Sequence, residues 1–301
     1  MNVPHPFERL EFPSQTRDEK HTQSERILLW TAGRIIKAAE PGWERIEVTA
    51  LGSGTDFDIK YTILKADGSA GVGDLPPEVM RAFTDMRLLR YEDGIGTWLS
   101  LRMYIKPPDF LNATFNVWVD PIWDPPISSA AYENDLRHFP RTEEYIPRWL
   151  KAKLNTETPL PPVKPGENPP MESYVELIET QTNIALPPGW TYAQIHFREV
   201  GGHREINGLV QDISGKMAPW TPPAEVADRF SEYRAATRSR PAVWFSARLE
   251  IWYTGKYDFD MYGPTEPKWA DQPSVDDFRE EVRLAKLYNV ALPNWVTEAT
   301  N

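Results

Sequence analysis

The chain carries two copies of one sequence pattern, and this internal repeat limits what it can fold into. Pro41-Gly42-Trp43 returns as Pro188-Gly189-Trp190, 147 positions later, and Trp98-x-Ser100-x-Arg102 returns as Trp244-x-Ser246-x-Arg248, 146 positions later. Other landmarks keep this order and spacing: Glu78, Phe83, Trp123, Arg137 and Trp149 return as Glu225, Phe230, Trp269, Arg283 and Trp295. The period is too long for a solenoid, whose repeats span about 20–50 residues, and suits a small domain. The sequence therefore predicts a duplicated domain with a pseudo-twofold relation.

Both copies predict the same order of elements, α-β-β-α-β-β-α. In the first copy, apolar periodicity and turn residues predict helices over 24–39, 76–90 and 130–138, and strands over 43–51, 56–66, 97–106 and 112–119. In the second copy they predict helices over 173–185, 222–236 and 274–288, and strands over 190–199, 204–213, 242–253 and 257–262. The predicted fold class is α+β, with helices packed against an antiparallel sheet in each copy.

A proline-rich segment separates the two copies. Residues 155–170 read NTETPLPPVKPGENPP, with six prolines, which favours a semi-rigid polyproline II spacer. The predicted organisation is a loose N-terminal arm over 1–22, a first domain over 23–154, a linker over 155–170 and a second domain over 171–301.

Composition and charge exclude several classes of partner. The net charge is −11 and no basic stripe is visible, so nucleic-acid binding is not expected. The chain has no cysteine, which excludes disulfides, zinc–thiolate sites and thiol nucleophiles. No apolar stretch approaches the roughly 18 residues of a membrane span. The first twenty residues lack the apolar core of a signal peptide, so we expect a cytoplasmic protein.

The sequence contains few patterns that are typical of catalytic or metal-binding sites. The five histidines show no His-x-x-x-His or Glu-x-x-His spacing, so the sequence predicts no metal site, no cofactor and no catalytic residue. Carboxylate pairs occur at Asp56/Asp58, Asp120/Asp124 and Asp258/Asp260. A glycosidase needs two carboxyls facing each other across a cleft, whereas pairs within one strand indicate first a solvated strand face. We therefore expect a protein that is not an enzyme, and a carbohydrate-active hydrolase stays open as an alternative.

Differences between the copies indicate a candidate binding surface. Four tryptophan pairs occur in both copies and indicate core packing, whereas Trp30, Trp118, Trp220 and Trp252 occur in one copy only. The second hairpin of each copy also mixes acidic and aromatic residues that differ between the copies. We predict that a protein partner binds there, through Trp118, Asp120, Trp252, Tyr257, Asp258, Asp260 and Tyr262. Loops 52–55 and 200–203 are a second choice, because glycine permits close backbone approach.

These landmarks also carry a family resemblance. The Pro-Gly-Trp entry into a hairpin, the Leu75-Pro76-Pro77 and Thr221-Pro222-Pro223 helix starts, and Trp-x-Ser-x-Arg before a second hairpin resemble the YezG-like bacterial immunity proteins. The run 132–141, closing on Ile146-Pro147-Arg148-Trp149-Leu150, resembles actinobacterial immunity proteins encoded beside secreted necrotizing NAD-glycohydrolase toxins. The resemblance covers about 24–150 and, more weakly, 172–297. The second copy has Ala285-Lys286-Leu287 where the first has Phe139-Pro140-Arg141.

The resemblance implies an antitoxin, or immunity protein, that occludes the active site of a cognate toxin in a 1:1 complex without any chemistry of its own. An acidic inhibitor would associate quickly with a cationic toxin. A cytosolic chaperone or adaptor for a secreted protein remains the main alternative, since it shares the same sequence features.

Overall fold

The structure, a computed structural model, describes residues 16–54, 56–73, 75–155, 158–238 and 243–300. The described chain forms two compact units. The first contains the residues up to Val117 together with Pro125–Pro147, and the second contains Trp118–Asp124 together with the residues from Arg148 onward. The chain therefore passes from one unit to the other three times.

Each unit contains a five-stranded antiparallel sheet. The first sheet has the strand order β3-β2-β1-β4-β5 and the second has the order β10-β9-β6-β7-β8. The elements of the first copy are α1 (Arg17–Ala38), β1 (Arg45–Ser53), β2 (Asp56–Leu64), β3 (Ala70–Val72), α2 (Pro77–Leu89), β4 (Ser100–Lys106), β5 (Phe110–Asn116), α3 (Ser129–His138) and α4 (Arg148–Leu154). Those of the second are α5 (Tyr174–Ala185), β6 (Trp190–Val200), β7 (His203–Asp212), β8 (Met217–Trp220), α6 (Ala224–Thr237), β9 (Ser246–Trp252), β10 (Tyr257–Tyr262), α7 (Val275–Tyr288) and α8 (Asn294–Glu298).

The predicted α+β fold with two similar units is confirmed, and the strand pairing repeats in register. Val48 of β1 lies opposite Met103 of β4, and Ile195 of β6 lies opposite Leu249 of β9. These pairs differ by 147 and 146 positions, the same offsets that the sequence landmarks show. Helices α2 and α6 begin 147 positions apart, and β4 and β9 begin 146 apart. The net one-residue length difference therefore arises between the start of this helix and the start of this strand.

The structure also adds elements and moves boundaries. Strands β3 and β8 were not predicted, because each has only three or four residues and β8 contains Pro219. The predicted arm over 1–22 is wrong at its end, because α1 already begins at Arg17, where Thr16 and Glu19 form a capping box. Residues 1–15 of that arm lie outside the described residues.

The proline-rich segment 155–170 packs against the second unit. The Nη2 atom of Arg148 donates to the carbonyl oxygen of Pro161, and the backbone N–H of Gly166 donates to that of Ala236 at 2.8 Å. Val163 is buried against Tyr174 and Ala236. In its described part the segment is therefore a fixed piece of the second unit, because these contacts hold it, and it does not act as the spacer that its proline content predicts. Residues 156–157 of it lie outside the described residues.

A buried ion pair joins two helices and a hairpin turn in each unit. In the first unit, Arg87 of α2 donates to Asp135 of α3 at 2.7 Å, and the same carboxylate oxygen accepts the backbone N–H of Gly54 at 2.7 Å. Both charged side chains are at most 3% exposed. The guanidinium also lies 4.7 Å from the ring centre of Phe139. A charge this deep is tolerated only when it is paired and hydrogen-bonded.

The second unit repeats this arrangement at the equivalent positions. Arg234 of α6 lies 3.0 Å from Glu281 of α7, and both side chains are fully buried. Glu281 accepts the backbone N–H of Gly201 at 2.9 Å and pairs with Arg238 at 2.5 Å. Although burial raises the pKa of Glu281, the two arginines and the Gly201 N–H together hold it below its usual value.

We expect Arg234→Met to destabilise the second unit by about 3 kcal/mol, because it leaves the buried Glu281 with less compensation. Arg283→Met is the matched control, since Arg283 is 60% exposed in an i,i+3 pair with Glu280 and such pairs are worth at most about 0.5 kcal/mol. Urea unfolding followed by circular dichroism measures both. Equal shifts of the two midpoints would contradict the role of the buried pair.

Gly201→Ala tests the turn that this pair holds. Gly201 has φ +54, and a Cβ there would overlap the carbonyl oxygen of Asp277. Gly215 also has a positive φ, of +85, but a Cβ there would meet nothing within 4 Å. We expect Gly215→Ala to cost about 1–2 kcal/mol from backbone strain alone and Gly201→Ala to cost clearly more in the same unfolding measurement.

Candidate functional site

One face of the second sheet packs against helix α6, and the two faces differ in burial along β6. In β6 the side chains of Ala193, Ile195 and Phe197 are buried, and Phe197 stacks on Phe230 of α6 with ring centres 4.9 Å apart. The alternate residues of β6 are half-buried, because successive side chains of a strand point to opposite faces. We name this second surface the open face; its main residues are Tyr192, Gln194, His196, Arg198, Arg248, Glu250, Trp252, Asp258, Asp260 and Tyr262.

Four of the seven predicted binding residues lie on the open face: Trp252, Asp258, Asp260 and Tyr262. Asp258 lies opposite Glu250 and Asp260 opposite Arg248 across the β9–β10 ladder. Tyr257 lies opposite the buried Ile251 and therefore points to the helix-covered face. Tyr257 is thus separated from the surface that carries Asp258 and Asp260, because adjacent residues of a strand point to opposite faces.

Trp118 and Asp120 do not belong to a hairpin surface. The predicted strand over 112–119 ends at Asn116, and Trp118 and Asp120 are only 7% and 5% exposed within the second unit. The carbonyl oxygen of Trp118 accepts the indole N–H of Trp149 at 2.7 Å, and that of Asp120 accepts the amide of Gln181 at 2.8 Å. Asp120 instead lines a separate groove of this unit, described below.

Glu250 is the centre of a hydrogen-bond network on the open face. It accepts the Tyr192 hydroxyl at 2.5 Å and the Gln194 amide at 2.9 Å. The hydrogen bond from Tyr192 keeps the pKa of Glu250 below its usual value, and burial followed by the same bond raises the pKa of Tyr192 to about 12. Glu250 is therefore held as a carboxylate, which suits an ion-pairing role and not proton donation.

Acidic side chains of β10 form ion pairs with basic residues of the same surface, and the Trp252 ring of β9 contacts one of these basic residues. Asp260 pairs with Arg248 at 2.7 Å and accepts the Tyr262 hydroxyl at 3.4 Å. The Lys256 ammonium lies 3.9 Å from Asp258 and 4.7 Å from the ring centre of Trp252. The Trp252 ring in turn packs on Tyr192 at 5.2 Å. These pairs fix rigid aromatic groups and oriented charges on one surface, as protein interfaces require.

His196 lies at the middle of the open face. It pairs across the ladders with Asn207 and Arg248, and its Nε2 atom is 3.2 Å from the Gln194 side-chain oxygen. Burial lowers the pKa of His196, and the positive charges of Arg198 and Arg248 lower it further. The ring is therefore mainly neutral near neutral pH.

Loops 52–55 and 200–203, the alternative binding surface, make hydrogen bonds inside their own units. The N–H of Gly54 donates to Asp135 and that of Gly201 to Glu281, so the close approach that glycine permits is made to a helix of the same unit. Thr55, at the end of the first loop, lies outside the described residues.

Six residues of the open face were not identified from the sequence: Tyr192, Gln194, His196, Arg198, Arg248 and Glu250. Tyr192, Gln194 and His196 correspond to Arg45, Glu47 and Thr49 by the 147-residue offset, so divergence between the copies was an available signal. In the first sheet, Glu47 is 3% exposed and paired with Arg45 at 2.6 Å. The equivalent face there carries a buried ion pair, whereas in the second sheet it is open.

The described residues contain no group of three or more His, Asp or Glu side chains placed to hold a metal ion. Among the same residues, no helix combines the length and hydropathy needed to cross a membrane. No family model matches the chain, and no curated protein matches it.

A proton titration of His196 tests the electrostatics of the open face. We expect a pKa below the ordinary value of about 6.5, by NMR of the imidazole resonances. Because the folded pKa is lower than the unfolded one, the stability that the neutral ring contributes is fully present above about pH 6.5 and is lost as pH falls through the folded pKa.

Arg198→Gln should raise the pKa of His196, because it removes a neighbouring positive charge. Arg204→Gln is the matched control, since Arg204 pairs with Asp228 of α6 at 2.6 Å on the helix-covered face. A titration that Arg198→Gln leaves unchanged would mean that Arg198 does not contribute to the lowered pKa of His196.

Proposed function

We propose that this chain is a protein-binding protein of the immunity type, which neutralises a toxin by covering it with the open face of the second sheet. The observation that supports the proposal is this face, a half-buried sheet surface with matched charges and rigid aromatic groups. We further propose, from the sequence resemblance, that the toxin is a secreted NAD-glycohydrolase and that the complex is 1:1 in the cytoplasm.

The dimensions of the open face suit a protein partner. Five strands about 4.8 Å apart and about seven residues long, at 3.3 Å per residue, give a surface of roughly 550 Å². A standard interface buries about 800 Å² on each partner, so the sheet supplies most of one side and the adjoining loops the rest. Tyr262 and Leu209, 46% and 41% exposed on this face, are large apolar groups for such a contact.

Charge favours a basic partner. The chain has a net charge of −11, and long-range attraction accelerates the encounter of oppositely charged proteins. β10 is an edge strand of the second sheet and carries Asp258 and Asp260. An approaching basic surface therefore meets these carboxylates at the rim of the open face.

The geometry gives less support to a carbohydrate hydrolase. Asp120 and Glu232 line one groove, and burial raises the pKa of both. However, Glu232 is bound by Arg229 at 2.8 Å and approached by Arg148 at 3.8 Å. Glycoside hydrolysis requires two carboxyl groups that are free to react. Because the arginines bind Glu232, only Asp120 of these two carboxyl groups is without an ion pair among the described residues.

The test begins with identification of the partner. The full chain, immobilised, would be exposed to lysate and secreted protein of its source, and the protein retained in stoichiometric amount after a high-salt wash identified by mass spectrometry. The retained protein is then expressed alone in a bacterial host, with growth and cellular NAD as readouts. Growth arrest with NAD loss, relieved by co-expression of this chain, supports the proposal. A retained protein that is harmless alone contradicts it and favours the adaptor.

With the partner in hand, we expect Trp252→Ala and Tyr262→Ala each to weaken binding at least tenfold, because both remove large aromatic contacts from the open face. Leu287→Ala is the control, since Leu287 is 61% exposed and lies on α7 instead of on a strand of that sheet. The double substitution Asp258→Ala/Asp260→Ala should slow association at low salt. Surface plasmon resonance measures all four, and an unchanged association rate would remove the two aspartates from the interface.

A further inference from the structure

The second unit contains a groove that the proposed function does not use. It is lined by α4, by α6, by part of the proline-rich segment and by Asp120, and its volume is about 480 Å³. Small-molecule sites in proteins occupy about 300–1,000 Å³ and combine apolar walls with a few polar groups. Here Trp149, Val163 and Ala235 supply apolar wall.

Asp120 is the buried polar group of this groove. Its side chain is placed by a hydrogen bond from the backbone N–H of Ile122 to Oδ1 at 2.9 Å, and the residue is only 5% exposed. Among the described residues, no group donates a hydrogen bond to the other carboxylate oxygen. This oxygen can therefore accept a hydrogen bond from a bound cation, and such charge-assisted bonds are stronger than neutral ones.

The remaining charges of the groove do not neutralise Asp120. Glu232 forms ion pairs with Arg229 and Arg148, and Asp228 forms one with Arg204. Asp120 and Glu225 are then left with Lys153, whose side chain is exposed to solvent. Burial raises the pKa of Asp120 even though Lys153 and Arg229 lower it. Among the described residues, no cationic side chain lies within ion-pair distance of Asp120, so its carboxylate has no ion-pair partner there.

The groove combines residues of both copies with the segment between them: Asp120, Trp149 and Lys153 come from the first copy, and Glu225, Arg229 and Glu232 from the second. By the 147-residue offset, Arg229 corresponds to Ala82, and the wall at Leu160, Pro162 and Val163 comes from the segment between the copies. The groove is thus a departure from the repeated pattern and not a by-product of it.

We propose that this groove binds an organic cation, an ammonium or guanidinium group on an apolar stem, with the charged group at Asp120 and the stem along Trp149 and Val163. The cation is either a free amine or guanidine, or the lysine or arginine side chain of a protein. This site is distinct from the open face, so it goes beyond the proposed function and is tested independently of it.

The test uses n-butylguanidine and n-butylamine with the full-length chain, by isothermal titration calorimetry. N-butylurea, which is neutral and close in shape to butylguanidine, is the ligand control. We expect both cations to bind and the urea to bind at least tenfold more weakly. Failure of both cations to bind at 10 mM (roughly −2.7 kcal/mol at half-saturation), or equal binding of the urea, would overturn the proposal.

Two variants locate the site. Asp120→Asn keeps the size of the side chain and an acceptor for Ile122 but removes the charge, and it should weaken cation binding at least tenfold. Asp276→Asn, on α7 outside the groove, should leave it unchanged, since the Asp276 side chain is 87% exposed. Should Asp120→Asn not fold, Ala235→Leu fills the groove without altering its charge and should also abolish binding. Unaltered affinity in the folded groove variant would overturn the assignment.

The two sources of the cation are separated with the blocked tripeptide acetyl-Gly-Arg-Gly-amide. Binding at least as tight as that of butylguanidine indicates that the groove accepts a protein side chain. Exclusion of the peptide with retention of butylguanidine indicates a free small molecule. Neither outcome involves the partner of the open face. A negative result for cation binding therefore does not affect the proposed immunity function, and a negative result for the immunity function does not affect the cation site.

Discussion

The fold of each unit depends on a buried arginine–carboxylate pair that also binds a hairpin glycine. Arg87 with Asp135 and Arg234 with Glu281 join the second helix of a copy to its third, and the carboxylate accepts the N–H of Gly54 or Gly201. Such a pair contributes little net stability compared with apolar packing, but either charge alone would be costly to bury. The interaction therefore fixes where the third helix sits against its sheet. The change from aspartate to glutamate between the copies retains the charge and the bond to glycine.

The repeat in the sequence predicted much of this fold, because it constrains both copies at once. Turn residues and strand alternation placed the four longer strands of each sheet, and the two offsets predicted the shared register. Short elements were missed: three or four residues, as in β3, give too few side chains for alternation to be recognised. The buried ion pairs were also missed, since a charged residue in a helical pattern is usually solvent-exposed. Their recurrence as Arg87/Arg234 and Asp135/Glu281 was nevertheless present in the sequence.

The candidate site was predictable only in part, for reasons of three-dimensional placement. Asp258, Asp260, Trp252 and Tyr262 share a face because strand alternation is local. Trp118 and Asp120 were misplaced because the chain leaves the sheet after Asn116 and joins the second unit, which no local pattern indicates. The groove around Asp120 is lined by residues more than a hundred positions apart in sequence, such as Asp120 and Arg229. Only the tertiary structure brings those together.

The two polar regions of the second unit differ in how their charges are satisfied. On the open face, Glu250 and Asp260 are each matched to donors before any partner arrives, so binding there would proceed with little rearrangement. In the groove, one carboxylate oxygen of Asp120 has no hydrogen-bond donor among the described residues. The open face, whose charged groups are already paired, is suited to a large partner of complementary shape. The groove, where the Asp120 carboxylate is unpaired among the described residues, is suited to a small group of positive charge.

The three chain crossings between the compact units have a consequence for how the two sequence copies could be separated. A gene fragment ending at Leu154 would retain Trp118, Asp120 and Trp149 but lose Gln181 and the rest of the unit with which these residues pack. A fragment beginning at Met171 would lack the complementary pieces, including the segment that holds Val163 against Tyr174. No single cut of the polypeptide yields two complete units. The sequence repeat is linear, but the two three-dimensional units are interleaved along the chain. Each unit therefore needs residues from both sides of any cut, and the two units can be complete only within one uninterrupted polypeptide.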